Sequence, residues 1–354
     1  MNLESLPNVV EKRIPSLDGL RAFSILLVII GHARSSFGAT ARSHNILLSL
    51  IGNQHLGVSY FFVISGFLIT KILINELQKN KTINLRRFYA RRVFRILPAF
   101  YFFLIVILAL SLFHIIQISI VDWISAATFT WNYNFATKDW WVGHSWSLSV
   151  EEQFYLIWPA LLVFTGIKGA KKWVYALIIV TPLIRVASYF IFPEWRGRLS
   201  IMLHTRIDTL MVGCLLALTW EDSIVKKIMN GPWSKLLLNI SLFFLLIVSP
   251  LLYQKFAGSY LMTIGYSLES VCIVWSIAWF ILFPESKVGV ILNSPVVMRI
   301  GVLSYSLYIW QQLFLTHNNY SYVTEFPLNV IMVYLMAEIS YRFIEKPFLN
   351  FKPK

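Results

Sequence analysis

Acidic side chains are scarce in this chain, with 17 Asp and Glu against 31 Lys and Arg in 354 residues. Cysteine is scarcer: Cys214 and Cys272 both lie inside apolar segments, which argues against a disulfide framework and for two packed thiols. No metal-ligand spacing, phosphate-binding glycine loop or nucleophile elbow occurs, and there is neither an internal repeat nor a low-complexity segment. Charged residues of both signs make up only 14% of the chain, too few to cover a water-soluble surface.

What is present is apolar: 57% of residues are hydrophobic and 16% aromatic, the composition of an all-α polytopic membrane bundle. A net charge of +14 would suggest nucleic acid in a soluble protein. Here the cations sit in short loops between apolar runs. They set orientation and meet anionic membrane lipids or an anionic substrate, and no nucleic-acid partner is expected. Runs near 20 apolar residues predict ten spans in one domain over 1–354, at 17–33, 55–76, 96–116, 145–166, 171–191, 204–220, 235–253, 260–283, 297–316 and 326–347.

Between Lys79 and Arg95 lie seven Lys and Arg and no acid, which places that loop in the cytoplasm. Ten spans put Lys168, Lys171, Lys172, Lys226, Lys227, Lys235 and the C-terminal lysines on the same side, whereas an eleventh at 117–144 would expel them. Both termini are therefore expected inside. Gln117 to His144, with Trp123, Trp131, Trp140 and Trp141, becomes an outer loop or re-entrant piece. Its indoles suit interfacial anchoring, with stacking on a sugar as the second reading.

The first span, LDGLRAFSILLVIIGHA, carries polar groups at both ends. Asp18 and Arg21 are three residues apart, and His32 follows Arg21 by eleven, roughly three turns, so all three share a side and the last two stand about 16 Å apart. Intramembrane ionisable groups usually mark function. The plain alternative is headgroup capping. A cleaved signal ending near Ala39-Thr40-Ala41 is disfavoured by a charge pair inside its apolar region.

His32 is the candidate general base. In HSWSLSVEEQFYLIWP, residues 144–159, Ser145, Ser149 and Glu152 line one helical face while Ser147 and Glu151 pair on another. Glu152 or Glu151 is expected to orient His32 or hold an acceptor hydroxyl, the alternative being acids that cap a helix N-terminus. In LRRFYARRVFRILP, Arg91, Arg92 and Arg95 form a candidate phosphate site. In HTRIDTLMVG, Arg206 and Asp208 are expected to pair with each other or with substrate. Glu338, Arg342 and Glu345 read as an internal ion-pair ladder.

In these stretches, together with GVSYFFVISGFLIT, GVLSYSLYIWQQ and RFIEKPF, which occur in the family's order over nearly the whole chain, the sequence resembles the integral-membrane acyltransferase type 3 family. The resemblance implies transfer of an acetyl or other short acyl group from acyl-CoA, acetyl-CoA being the expected donor, with no metal. The acceptor would be a cell-surface glycan such as lipopolysaccharide O-antigen or exopolysaccharide, or a lipid-linked sugar, at the bacterial inner membrane. The family's basic residue, ten intervening residues and histidine fall on Arg21 and His32. Its arginine-rich inner loop falls on Arg91, Arg92 and Arg95, and its acidic motif on Glu151 and Glu152. Where many members carry a histidine, this chain has Gln311 and Gln312, and no appended extracytoplasmic domain of the kind some relatives carry is expected. The expected assignment is then catalysis by His32, Glu152 and Glu151, donor binding by Arg21, Arg91, Arg92 and Arg95, and substrate contacts from Asp18, Ser147, Ser149, Arg206 and Asp208. Direct transfer is expected, with an acyl-imidazole intermediate as the alternative. A rival class is a transporter or flippase for a lipid-linked sugar, because polar groups in spans also mark translocation paths. Paired half-chain repeats, which many carriers show, are not found.

Overall fold

The computed structural model describes residues 14–34, 52–136, 139–316 and 322–353, and among these the chain is helical with no strand. Helix α1 (Pro15–Ala33) places Asp18 in its first turn, where the helix dipole favours a carboxylate. Helix α2 (Gln54–Asn80) starts where the Asn53 side chain accepts from the Leu56 amide at 3.0 Å, and it stops at Lys81, whose φ of 61° is left-handed. Asn84 caps α3 (Leu85–Leu112) in the same way, accepting from the Arg87 amide at 2.9 Å. Then follow α4 (Ser145–Ile191), α5 (Leu203–Thr219), α6 (Tyr266–Leu282), α7 (Pro295–Phe314) and α8 (Leu328–Ser340), the last continued by a π-turn at Tyr341–Glu345.

Two close approaches set the frame. A Cβ on Gly213 of α5 would overlap the Val63 carbonyl oxygen of α2, and one on Gly301 of α7 would overlap the Asp18 carbonyl oxygen of α1. Small residues let backbones meet in a membrane, where packing rather than water drives association. The contact at Gly301 lies one turn before Arg21, so it also locates that guanidinium.

The outside is apolar and the inside is partly polar. Phe164, Leu156, Ile179 and Ile105 are exposed, while Arg185, Arg206, Asp208 and Glu269 are each at most 2% exposed. That inverts the rule for water-soluble proteins and suits a surface solvated by lipid. Six helical stretches among the described residues are long and apolar enough to cross a membrane: 16–33, 54–80, 85–112, 140–191, 199–219 and 234–282. The fourth and sixth, of 52 and 49 residues, are each broken once, at Gly166 with φ 64° and at Ala257 with φ 47°. The chain is a helical membrane protein.

Within Gln117 to His144 the described residues form only short helices, Ile120–Ala127, Trp131–Tyr133 and Trp140–Gly143, so no eleventh span runs there. Its indoles are stapled inward rather than laid out as an interfacial belt. Trp131 and Trp141 are buried, and Trp123, Trp131 and Trp140 donate to the Leu104 carbonyl, the Asp122 carboxylate and the Gln312 carbonyl. Cys214 and Cys272 are free thiols, as expected. Ala39-Thr40-Ala41 lies outside the described residues.

Candidate functional site

Arg21 sits low on α1, and α3 brings Arg92 and Arg95 beside it because i and i+3 share a helical face. These three guanidiniums border a chamber of about 440 Å³ together with Asp18, Glu345 and Lys352. Burial, and then the nearby Arg95, Arg92 and Arg91 charges, push the Lys352 ammonium below its usual range. The chamber is thus a region of positive potential, suited to an anion.

Above it the walls close to a waist of about 80 Å³, which keeps the three arginines on one side and adds Ser147, Glu151, Glu152 and Tyr308. Glu151 accepts from the Ser65 hydroxyl at 2.5 Å, and Tyr155 donates to that same hydroxyl at 3.1 Å. Ser147 and Tyr308 share a hydroxyl bond of 2.5 Å.

Tyr308 and Val58 also border a second chamber of about 300 Å³, which contains His32, His144, Trp131, Trp140, Arg198 and Gln312. His32 Nδ1 lies 2.7 Å from Gln311 Oε1. Gln311 donates weakly to Gln312 at 3.4 Å, and Gln312 donates to the Trp140 carbonyl at 2.6 Å. The Trp140 ring meets the imidazole edge to face, centroids 5.7 Å apart at 87°. An amide oxygen only accepts, so Nδ1 carries the proton and Nε2 keeps its lone pair. At the rim, burial raises the Asp139 carboxyl against the opposing bond from the Ser119 amide.

The structure gathers Arg21, Arg92, Arg95 and Asp18 at the first chamber, Ser147, Glu151 and Glu152 at the waist, and His32 at the second chamber, which shares Val58 and Tyr308 with the waist; it places the rest elsewhere. Glu152 or Glu151 was expected to orient His32 or hold an acceptor hydroxyl; both line the waist with the arginines, and it is Gln311 that holds His32. The reason is depth: Glu151 stands seven residues below His144, roughly 10 Å along the axis. Arg91 leaves the phosphate set because it faces Glu76, 3.4 Å away. Ser149 is fully buried and donates to the Ser145 carbonyl at 2.9 Å, away from any of these chambers. Arg206 and Asp208 do not pair with each other. Asp208 binds Arg185 through both oxygens at 3.1 and 3.0 Å, while Arg206 donates to Ser59 at 2.9 Å and covers the Tyr266 ring at 3.5 Å. Both are buried among protein groups and neither lines the chambers. In the ladder, Glu338 pairs with Arg342 and Arg299, but the π-turn carries Glu345 off that face to Ser306 and the first chamber. Gln311, Tyr308, Tyr155, Ser65 and Lys352 were not anticipated. A chain position flagged as lacking a family histidine was the available signal for Gln311.

A bundle with guanidiniums below, an imidazole above and a narrow neck between them is a membrane protein organised around two chambers and one route. The chain belongs to the acyltransferase type 3 family: the family's acyltransferase domain model matches residues 14–337. It is 30% identical to the O-acetyltransferase OatA of Staphylococcus aureus (strain NCTC 8325 / PS 47) over 360 residues, covering 94% of this chain and 57% of that protein. It is 31% identical to a putative O-acetyltransferase of Staphylococcus aureus (strain COL) over 379 residues, covering 96% of this chain and 59% of that one. The chain therefore spans somewhat over half the length of these relatives. No solved structure gives a significant match. Among the described residues no group of His, Cys, Asp and Glu is placed to hold a metal ion.

Proposed function

We propose that this chain is a membrane O-acetyltransferase that moves an acetyl group from acetyl-CoA to a hydroxyl of a cell-envelope glycan. The observation that carries the reading is the juxtaposition of an arginine-lined chamber and an imidazole-lined chamber at a common neck. The donor's phosphates would lie against Arg21, Arg92, Arg95 and Lys352, and its pantetheine arm would run through the waist toward His32. Nε2 of His32 takes the proton from the acceptor hydroxyl as its oxygen attacks the thioester carbonyl. A C–O bond forms, the C–S bond breaks, and the proton passes from the imidazole to the leaving thiolate.

The cation-rich 79–95 loop supports an orientation with the arginine chamber on the cytoplasmic side of a bacterial inner membrane and the histidine chamber outside. Ten crossings fit if each of the two long helical stretches, broken at Gly166 and Ala257, crosses twice and α7 and α8 add one each. Asp18 and Ser147 border the route and are assigned to it.

Membranes carrying the full chain, given acetyl-CoA labelled in the acetyl group, should transfer label to envelope glycan and release free thiol. Transfer at the background rate in the presence of the protein would refute the assignment.

A further inference from the structure

The cations of the first chamber are not equivalent. Arg21, Arg92 and Arg95 border both the chamber and the waist, whereas Lys352 borders the chamber alone. The walls give the order along the route: α1 enters with Ile14 and reaches the waist at Arg21, and α2 runs from Ser65 at the waist to Ile72 away from it. Lys352 shares with Ile14 and Ile72 the part that the waist does not reach. It follows a short helix, Lys346–Asn350, and its amide donates to the Leu349 carbonyl at 3.4 Å. The chamber also holds two carboxylates, and these sit by the guanidiniums: Asp18 acts on Arg21, and Glu345 feels Arg95 and Arg21. Among the described residues no carboxylate forms an ion pair with the Lys352 ammonium, whose electrostatic neighbours are Arg95, Arg92 and Arg91.

A coenzyme A thioester is ordered in the same sense. From the reacting carbonyl it runs through pantetheine to a pyrophosphate, and only then to the ribose with its 3′-phosphate. With the thioester directed through the waist toward His32, the pyrophosphate comes first to the guanidiniums that border both spaces. The 3′-phosphate then lies farther from the neck, where Lys352 stands. The residue types fit that order. Guanidinium forks match the paired oxygens of a pyrophosphate, while a terminal phosphate monoester carries a concentrated charge that a flexible ammonium meets as a point charge. We infer that Lys352 is a specificity residue for the donor, reading the 3′-phosphate of coenzyme A while Arg21, Arg92 and Arg95 hold its pyrophosphate. The inference rests on the reading of acyl-CoA as the donor.

The test uses the full chain purified in detergent and titrated with coenzyme A and with 3′-dephospho-coenzyme A, which differ only in that phosphate. Acetyl transfer from the two acetylated donors is followed in membranes in parallel. Wild type should bind coenzyme A about tenfold more tightly than the dephospho form, the size of one charge-assisted contact. Lys352→Gln should bring the two affinities within about twofold by weakening coenzyme A alone, and Lys352→Arg should keep most of the difference. Arg95→Ala should weaken both ligands and leave their ratio in place. Equal affinities in wild type overturn the inference and leave the acyl-CoA reading standing. A ratio that survives Lys352→Gln, or an equal loss for both ligands in that variant, also overturns it. Binding of neither ligand by wild type refutes the inference together with the donor reading beneath it. A ratio that depends on Lys352 in a protein that transfers no acetyl supports the phosphate contact and refutes the acyltransferase reading.

Discussion

The amide oxygen of Gln311 holds Nδ1 of His32 at 2.7 Å, across 279 positions of sequence. A neutral amide therefore occupies the place a carboxylate fills in many catalytic triads. It selects the tautomer without adding a negative charge to a membrane interior, where an unpaired charge is expensive. Gln311→Leu leaves the ring in place and frees the tautomer. The turnover number for acetyl transfer should fall about tenfold, the rate equivalent of one hydrogen bond, with donor KM nearly unchanged. Wild-type turnover in that variant would remove Gln311 from the mechanism.

His32→Ala removes the proposed base. Steady-state transfer should drop by at least about a hundredfold while the protein still reaches the membrane in normal amount, read by quantitative immunoblot. Retained acetylation would move the proton acceptor elsewhere.

Arg95 and Arg91 differ in environment although they occupy one motif. Arg95→Ala should raise the KM for acetyl-CoA by about 10- to 100-fold, as loss of a charge-assisted contact to phosphate would. Arg91→Ala breaks a partly exposed pair with Glu76 and should change that KM less than about threefold. Equal effects would contradict the assignment of the chamber.

Arg185 and Asp208 form a fully enclosed ion pair between α4 and α5. Arg185→Met strands the carboxylate and should destabilise by about 3–5 kcal/mol, whereas the double variant with Asp208→Leu should recover most of that loss. Thermal midpoints of the four proteins in one detergent, combined as a double-mutant cycle, decide the matter. Additive losses would show that the pair does not act as a unit.

Glu221, just beyond the end of α5, accepts from Lys226 at 2.8 Å, and that bond holds its carboxyl below the ordinary value of 4.5. A lowered folded-state pKa gives stability that is present above the unfolded pKa and lost as pH falls through the folded one. The residue is 63% exposed, so the contribution is below about 1 kcal/mol. The difference in thermal midpoint between wild type and Glu221→Gln should be small at pH 7 and should vanish on acidification. A difference that grows in acid would reverse the sign of the argument.

Local periodicity made the polar stripe of α1 readable, because residues eleven apart return to the same side of any α-helix. The same arithmetic, carried further, would have separated Arg206 from Asp208: residues two apart point to opposite sides, and only neighbours three or four apart meet. It would not have removed Arg91, which stands four residues before Arg95 and shares its face; the contact with Glu76 that draws Arg91 off is tertiary. The partner of His32 was beyond such reasoning, since Gln311 is brought in by the close contact of α1 with α7 at Gly301, a tertiary fact. Charge counting says which loop to expect inside and nothing about the depth of Glu151. Glu345 escaped its ladder because a π-turn adds a residue to one turn, which no 3.6-residue pattern anticipates.

The neck between the chambers measures about 80 Å³, a few waters at the volume each occupies in the liquid. Under the proposed transfer, a donor held on one side of the membrane modifies a hydroxyl on the other without either molecule crossing it.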